Sequence, residues 1–163
     1  MEPLDEIIQQ KALKEVLLIT DGACIGNPGP GGWACILRYK QHVTEIYGGE
    51  PYTTNNRMEL RAVIEGLMKL TEPCSVKVKT DSQYLVDGMT KWITNWKAKD
   101  WFHKVKREGW QPVKNRDLWE EIDRLQQGHR LQWEWVRGHS VDHDNNRCDL
   151  LANSAARRMS VVK

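Results

Sequence analysis

The sequence has little of several things that would place a chain in a special class. Its 163 residues include one phenylalanine and four cysteines, and the formal net charge is only +2. The cysteines are widely spaced and form no C-x-x-C pair, so reduced buried thiols are favoured over a disulfide framework or a zinc site. The longest apolar run is far too short to cross a bilayer. The N-terminus is acidic and amphipathic, without the order of a signal peptide, so we expect a cytoplasmic protein.

What the sequence does contain is typical of one globular domain. Forty per cent of the residues are hydrophobic, and the length is that of a single domain with a sizeable core. We expect residues 1–15 to be a short polar extension and residues 16–160 to form the domain. The chain has eight tryptophans, five of them between residues 92 and 119, where basic residues also gather. Because the net charge is small, this local distribution says more about a nucleic-acid partner than the total does.

Apolar runs and turn signals predict an α/β domain with the order βββαβα(αα)αβα. An apolar run at 16–20 predicts a central strand, and a hairpin follows at 33–39 and 43–47, after a turn at 26–32. A helix from the Thr-Thr-Asn-Asn segment to about residue 70 leads to a strand at 76–80 parallel to the first. We expect the remaining elements to be short helices from 82 and around 92–96, an irregular basic segment at 97–114, a helix at 115–127, a strand at 131–136, a polar loop at 138–146 and a final helix to about 158.

Four carboxylates occupy positions where a globular chain normally avoids them. Asp21 follows the first buried run, and Asp81 follows the strand at 76–80. Glu59 lies on the apolar stripe of its predicted helix, and Asp149 sits between Cys148 and a leucine in the last helix. Burying a carboxylate without a partner costs several kcal/mol, and no Arg or Lys is placed to pair with all four.

Divalent cations would satisfy these four carboxylates together. The carboxyl ends of parallel strands meet at one edge of a sheet, where Asp21 and Asp81 are expected, and the two helical carboxylates can approach the same place. All-oxygen ligands favour Mg²⁺ or Mn²⁺ over zinc. The set could hold two Mg²⁺ ions, one activating water and the other stabilising a leaving 3′-oxygen, as in phosphoryl transfer. Alone, any one of these residues could be a capping or ion-paired carboxylate.

The sequence resembles type 1 ribonuclease H of the bacterial kind over nearly its whole length. The resemblance is carried by I-T-D-G-A-C-I-G-N-P-G-P-G-G, T-T-N-N-R-M-E-L, T-D-S-Q-Y, K-W-I-T-N-W-K, P-V-K-N-R-D-L-W and W-E-W-V-R-G-H-S…N-N-R-C-D-L-L-A. It implies a ribonuclease H-like fold: a five-stranded mixed sheet, with three antiparallel strands and then parallel strands, flanked by helices and carrying a basic protrusion. It also implies Mg²⁺-dependent cleavage of the RNA strand of RNA/DNA hybrids, leaving 5′-phosphate and 3′-hydroxyl ends. The family's four metal-binding carboxylates fall on Asp21, Glu59, Asp81 and Asp149.

The resemblance also assigns residues outside the carboxylate set. His139 matches the family's catalytic histidine, which we interpret as assisting proton transfer or product release, whereas His143 is expected at the surface. Contacts with the RNA strand are implied for Cys24 (through its backbone), Asn27, Asn55, Asn56 and Gln83. Amides suit this role because they donate to and accept from a 2′-hydroxyl group.

The DNA strand is expected to lie on the basic segment. Lys97, Lys99 and Lys104 stand there among tryptophans, and this mixture joins phosphate attraction to sugar or base contacts. Trp92 matches the family's DNA-channel tryptophan, and Thr54 and Asn115 match its phosphate pocket. One departure is Tyr52, which stands where an arginine often adds to that pocket. We expect Trp119, Trp133 and Trp135 in the core.

Other functions were weighed against this one. A Holliday-junction resolvase or transposase-like enzyme would also use clustered carboxylates, but the amides placed for 2′-hydroxyl contacts and the basic protrusion disfavour it. A non-catalytic hybrid-binding module would gain little from concentrating negative charge near phosphates. A reverse-transcriptase fragment is disfavoured by the basic protrusion and by the N-terminal segment with its own Met1. We expect a monomer with no obligatory protein partner. Its binding partner should be the RNA/DNA hybrid substrate, and we expect no association with a membrane.

Overall fold

A computed structural model describes residues 12–138 and 141–161. These residues contain seven strands: β1 Lys14–Cys24, β2 Gly29–Tyr39, β3 His42–Thr53, β4 Cys74–Thr80, β5 Phe102–Val105, β6 Gly109–Pro112 and β7 Arg130–Trp135. Five α-helices accompany them: α1 Asn55–Met68, α2 Gln83–Asp87, α3 Ile93–Ala98, α4 Arg116–Gln126 and α5 His143–Ser160. A π-helical turn, Gly88–Trp92, joins α2 to α3.

The main sheet has five strands in the order β3-β2-β1-β4-β7. β1, β2 and β3 pair antiparallel, whereas β4 runs parallel to β1 and β7 runs parallel to β4. The expected mixed sheet is therefore confirmed. The parallel pairing of β1 with β4 stops at Ile19 and Lys79, while β1 continues beside β2 to Cys24. Residues from Thr20 onward on β1 thus extend past the end of the parallel strands.

One face of the sheet is covered by α1, which forms for reasons visible in its sequence. The Thr54 side chain caps it by accepting a hydrogen bond from the Arg57 backbone N–H at 3.2 Å. Its buried side includes Leu60, Val63 and Leu67, which pack with Leu18 and Val78 of the sheet. Leucine and valine at this helical spacing form an apolar stripe, and burying it against the sheet stabilises the domain.

The opposite face of the sheet is covered by α5 over β1, β2 and β3. Ala152, Ala155 and Ala156 are buried there, and a Cβ on Gly32 would meet the backbone oxygen of Ala152 at 2.1 Å. Gly32 is thus required because the helix backbone approaches the strand closely. Small residues on both surfaces bring α5, which also carries Asp149, close to the sheet.

The tryptophan-rich segment forms a second layer beside α1. Trp119 of α4 is fully buried, with ring centroids 5.2 Å from both Tyr84 and Trp96. A Cβ on Gly88 would meet the Trp119 ring at 2.1 Å, so the indole can pack here only because residue 88 has no side chain. The segment from α2 to α4 is therefore held by aromatic packing, and Trp133 packs against the same core.

Several sequence expectations differ from the structure. The glycines at 29–32 lie in β2 instead of a turn; Gly31 packs against Met58 of α1 and Gly32 against Ala152 of α5, each too closely for a side chain. The basic segment, expected to be irregular, contains the antiparallel hairpin of β5 and β6. The last helix begins at His143, inside the expected polar loop, because Asp142 caps it. Trp135, expected in the core, is 46% exposed because it lies on edge strand β7.

The cysteine expectation is confirmed for bonding state: all four are free thiols. Cys35, Cys74 and Cys148 are buried, whereas Cys24 is partly exposed. Burial raises the pKa of the Cys35 thiol to about 12, so it is unreactive at neutral pH. Among the described residues, no helix is both long and apolar enough to cross a membrane.

Candidate active site

Asp21 lies within β1, not after it, at the point where the strand extends beyond its parallel neighbour. Its Cα pairs with Ala34 of β2, and only 2% of its surface is exposed. One carboxylate oxygen, Oδ1, accepts a hydrogen bond from the Gly22 backbone N–H at 2.9 Å. The other, Oδ2, is buried and accepts none within the part of the chain that the structure describes. Asp21 is therefore a buried carboxylate with half of its hydrogen-bonding capacity unused.

Glu59 approaches Asp21 from the first turns of α1, as its position on the apolar stripe predicted. It is 4% exposed, and its Oε2 atom also lacks a hydrogen-bond partner among the described residues. A Cβ added to Gly22 would meet the Glu59 backbone nitrogen at 2.5 Å. Gly22 thus lets β1 touch α1, and this close approach brings the two carboxylates together.

Asp81 and Asp149 complete the set from two further elements. Asp81 follows β4 directly, and one oxygen from each of Asp21, Glu59 and Asp81 lies within 4.8 Å of the others. Asp149 of α5 is half-buried and lines the same surface depression, where its Oδ1 accepts a hydrogen bond from Asn153 at 3.1 Å. The structure therefore brings all four predicted carboxylates to one depression, three of them as a tight cluster.

The electrostatics of this cluster follow from burial and like charge. Burial, then the charges of Asp81 and Asp149, raise the pKa of Asp21 to about 8. The same causes, with burial again first and the Asp21 charge second, hold the pKa of Glu59 well above its usual range. Burial and the nearby like charges both disfavour the anionic forms of these carboxylates, and a bound cation would offset that cost.

The donor set fits a hard divalent cation. The cluster supplies carboxylate oxygens only, and two of them are buried atoms without partners. Oxygen ligands of this kind suit Mg²⁺ or Mn²⁺ and do not suit zinc, which prefers nitrogen and sulfur. A bound cation would remove the mutual repulsion that raises the pKa values of Asp21 and Glu59.

Amides surround the carboxylates, as the sequence predicted. Asn55, Asn56 and Gln83 line the depression, and the Gln83 amide donates to Asp87 at 2.9 Å. Asn27 lies next to them, since its Oδ1 accepts a hydrogen bond from the Asn55 backbone N–H at 3.0 Å. The Cys24 thiol points away, donating to the carbonyl oxygens of Thr53 (3.4 Å) and Gly29 (3.5 Å). Cys24 can therefore offer its backbone to a ligand, not its sulfur.

A second polar centre joins α1 to α4 and includes two residues that the sequence reasoning missed. The Arg57 guanidinium donates to Asn115 Oδ1 at 3.3 Å and pairs with Asp117 at 2.7 Å. Asn115, in a left-handed conformation before α4, donates to the Tyr84 hydroxyl at 3.0 Å. Thr54 caps the helix that carries Arg57. Arg57 and Tyr84 stand inside the quoted T-T-N-N-R and T-D-S-Q-Y segments, which was the available signal.

The basic segment projects its lysines into solvent. Lys99 lies over the ring of Trp110 at 5.7 Å, Lys104 is exposed on β5, and Lys97 pairs with Asp123 at 3.1 Å. Trp92 is 38% exposed. These side chains can reach a large polyanion, although Lys97 must share its charge with a carboxylate.

His139 lies outside the described residues. Its neighbour Gly138 lies against the cluster, since an added Cβ would be 2.9 Å from Asp81 Oδ2. His143 is exposed in the first turn of α5, as expected for a surface residue. Tyr52, the departure near the phosphate pocket, is 75% exposed.

The five-stranded mixed sheet, with carboxylates gathered where its parallel strands end, defines a class of metal-dependent nucleic-acid enzymes with a ribonuclease H-like fold. Within this class, the chain belongs to the RNase H family, whose model matches residues 13–157.

Curated relatives of similar length agree with this assignment. A Ribonuclease H of Solibacter usitatus is 53% identical over 148 residues, covering 91% of this chain and 99% of the relative. A Ribonuclease HI of Pasteurella multocida is 53% identical over 143 residues, covering 88% of this chain and 90% of the relative.

Solved structures agree on the fold. LC9-RNase H1, described as a type 1 RNase H with the type 2 active-site motif, superposes with a TM-score of 0.81 at 34% identity, covering 92% of this chain and 75% of that one. LC11-RNase H1, solved in complex with an RNA/DNA hybrid, has a TM-score of 0.65 at 24% identity, covering 88% of this chain and 97% of that one, and supports the fold alone.

Proposed function

We propose that this chain is an endonuclease that hydrolyses the RNA strand of RNA/DNA hybrids, with two Mg²⁺ ions held by Asp21, Glu59, Asp81 and Asp149. Mn²⁺ would substitute for Mg²⁺. In the reaction a water oxygen bonds to phosphorus and the bond from phosphorus to the 3′-oxygen breaks. The 3′-oxygen takes up a proton, so the products carry 5′-phosphate and 3′-hydroxyl ends.

One observation carries the proposal: two buried carboxylate oxygens, Asp21 Oδ2 and Glu59 Oε2, have no hydrogen-bond partner among the described residues. A fold that keeps such atoms beside a third carboxylate loses stability unless a cation binds there. Family membership supplies the reaction, because the relatives that match nearly the whole chain are ribonucleases H.

The carboxylates act as preorganised ligands. When bound, divalent cations supply charge stabilisation for the pentavalent phosphorus and lower the pKa of water. Asp21 and Glu59 are fixed by the contact of β1 with α1, so their oxygens do not reorganise during the reaction. Asp81 and Asp149 come from the end of β4 and from α5, and they close the depression on its other sides.

The amides beside the carboxylates would select an RNA strand over a DNA strand. Asn55, Asn56 and Gln83 line the depression and Asn27 is joined to it through Asn55, so these amides would contact 2′-hydroxyl groups, with the Cys24 backbone nearby. A DNA strand lacks the hydroxyl and would leave these polar groups without a partner, which costs binding energy.

The DNA strand would lie across the α1–α4 centre and the basic segment. Thr54 and Asn115 would hold a phosphate. The Arg57 guanidinium, 3.3 Å from Asn115, would supply the positive charge that the uncharged Tyr52 cannot supply to this pocket. Because Arg57 is already paired with Asp117, its free charge is reduced. The remaining contacts would come from Trp92, Lys97, Lys99 and Lys104.

His139 would assist proton transfer or product release. Its neighbour in the chain, Gly138, lies against Asp81, which supports a role close to the reacting phosphate. We further propose that residues 16–160 form one catalytic domain after a short extension at 1–15. The enzyme would act as a cytoplasmic monomer without an obligatory protein partner.

The test is cleavage of an end-labelled RNA/DNA hybrid, double-stranded RNA and double-stranded DNA, with Mg²⁺, Mn²⁺ or EDTA. We expect cutting of the RNA strand of the hybrid alone, dependent on the cation and lost in Asp21→Asn. Asp100→Asn, at an exposed position on the basic segment, is the matched control. Absence of hybrid cleavage with either cation, or equal cleavage by Asp21→Asn, would contradict the proposal.

A further inference from the structure

Two ion pairs tie the start of α5 to the sheet. The Lys79 ammonium of β4 lies 2.7 Å from Asp142 Oδ2. The Arg38 guanidinium of β2 donates two hydrogen bonds to Asp144, at 2.6 and 2.7 Å. Asp142 caps α5 and Asp144 lies in its first turn, so both pairs act on the same end of the helix.

The Asp142 carboxylate connects the helix to β4 through its two oxygens. Oδ1 accepts a hydrogen bond from the Asn145 backbone N–H at 3.0 Å, which caps the helix, while Oδ2 accepts from Lys79. Because one rigid group makes both contacts, the position of Lys79 fixes where the first turn of α5 begins.

This pair differs from its neighbour on the same strand. The side chains of Lys79 and Asp142 are 21% and 24% exposed. Lys77 and Glu134 are 3.4 Å apart and 49% and 41% exposed, so water screens them more strongly. Lys77 is therefore a matched control for charge and strand, without a link to α5.

The connection from β7 to α5 is attached to β4 at both of its described ends. The Val136 backbone N–H donates to the Thr80 carbonyl at 2.9 Å at one end, and Asp142 meets Lys79 at the other. Thr80 and Lys79 immediately precede Asp81 in the chain. Asp149 follows Asp142 by seven residues, which is two helical turns or about 10 Å along the axis.

We propose that Lys79 is a positioning residue of the nuclease site: through Asp142 it fixes the start of α5 and so holds Asp149 in place beside the other carboxylates. Lys79 does not line the depression and is not one of the proposed substrate contacts. The inference rests on the hydrolysis proposed above, since its effect is on catalysis.

The test compares five variants with wild type: Lys79→Met, Lys79→Arg, Asp142→Asn, the double variant of Lys79→Met with Asp142→Asn, and Lys77→Met. Asparagine at 142 keeps the capping oxygen but loses the charge, so the helix can still begin at the same residue. The measurements are kcat and KM on the hybrid, hydrogen exchange of the Asn145 amide, and the urea midpoint of unfolding.

We expect Lys79→Met to lower kcat at least about threefold with KM nearly unchanged, because Asp149 is displaced while the substrate contacts remain. Asp142→Asn should lower kcat by a similar factor, and the double variant should lower it no further. Exchange of the Asn145 amide should accelerate in these variants, and Lys79→Arg should restore most of kcat. Lys77→Met should match wild type in kcat and in Asn145 exchange.

Different results identify different failures. Equal kcat for Lys79→Met and Lys77→Met, multiplicative losses in the double variant, or a loss in KM alone would overturn the positioning role. A loss of kcat that follows the urea midpoint across all variants, including Lys77→Met, would reduce it to general destabilisation. If wild type itself leaves the hybrid uncut, the proposed function fails first and the positioning role fails with it.

Discussion

Replacing Asp21 by asparagine should stabilise the cation-free protein at alkaline pH, although it removes one of the proposed metal ligands. The amide keeps an oxygen that can accept from Gly22, but it carries no charge. The folded protein raises the pKa of Asp21 from 3.8 to about 8. Unfolding therefore releases a proton between those pH values, so this carboxyl lowers the stability progressively as pH rises through that window.

The size of this effect follows from the pKa difference. About four pKa units correspond to an upper bound on the order of 5 kcal/mol above pH 8. Proton sharing among the carboxylates and water in the open depression reduce this figure, so we expect roughly 2 kcal/mol. The pH-dependent part of the difference between wild type and Asp21→Asn should vanish only well below pH 3.8, because the carboxyl is then protonated in both the folded and the unfolded state.

The assay is urea unfolding in EDTA at several pH values from 5 to 9, with Asp100→Asn as the exposed control. Mg²⁺ should then stabilise wild type more than Asp21→Asn, because binding to the folded state adds stability. The reasoning is refuted if Asp21→Asn is no more stable than wild type at pH 9, or if the difference does not change with pH.

Three further outcomes are expected. Gly22→Ala should lower the free energy of unfolding by about 2 kcal/mol or more, because the added Cβ would overlap the backbone of α1. Gly128→Ala should be tolerated, because its Cβ would meet no atom closer than 3.6 Å. Urea unfolding of both variants measures the difference. Relative to His129→Gln, wild type should lose stability as pH falls below about 6.5, because burial lowers the pKa of His129, whose Nδ1 accepts a hydrogen bond from the Cys74 N–H. Urea unfolding of both proteins at several pH values measures this, and a difference between them that does not change with pH would contradict it. Reversing the charges of Lys97, Lys99 and Lys104 in the basic segment should raise KM more than it lowers kcat. Raising the salt concentration should reduce the difference in KM between this variant and wild type. An unchanged KM at physiological salt would exclude the segment from substrate binding.

Much of the fold could be predicted because local patterns and tertiary packing agree. The apolar run of β1, the capped helix after Thr54 and the strand before Asp81 each gave one consistent signal. Glu59 could be assigned to the buried side because a carboxylate breaks an otherwise apolar helical stripe. The grouping of the carboxylates then followed from the parallel crossover between β1 and β4.

The missed features depend on contacts between distant segments. The glycines at 29–32 were predicted as a turn because the close approach of α1 to Gly31 and of α5 to Gly32 cannot be seen in the local sequence. The hairpin of β5 and β6 lies in a segment where the many basic residues hide the alternation of polar and apolar residues that predicts a strand. The role of Arg57 was not predicted, because its partner Asn115 lies 58 positions later in the chain and only the fold brings the two side chains together.

The order of the chain has a consequence for its synthesis. Asp21 is synthesised before α5, the helix that brings Asp149 and covers one face of the sheet. A ribosomal product that stops before residue 143 therefore lacks Asp149 and the helix that covers this face of the sheet. Interrupted translation should thus release fragments without nuclease activity.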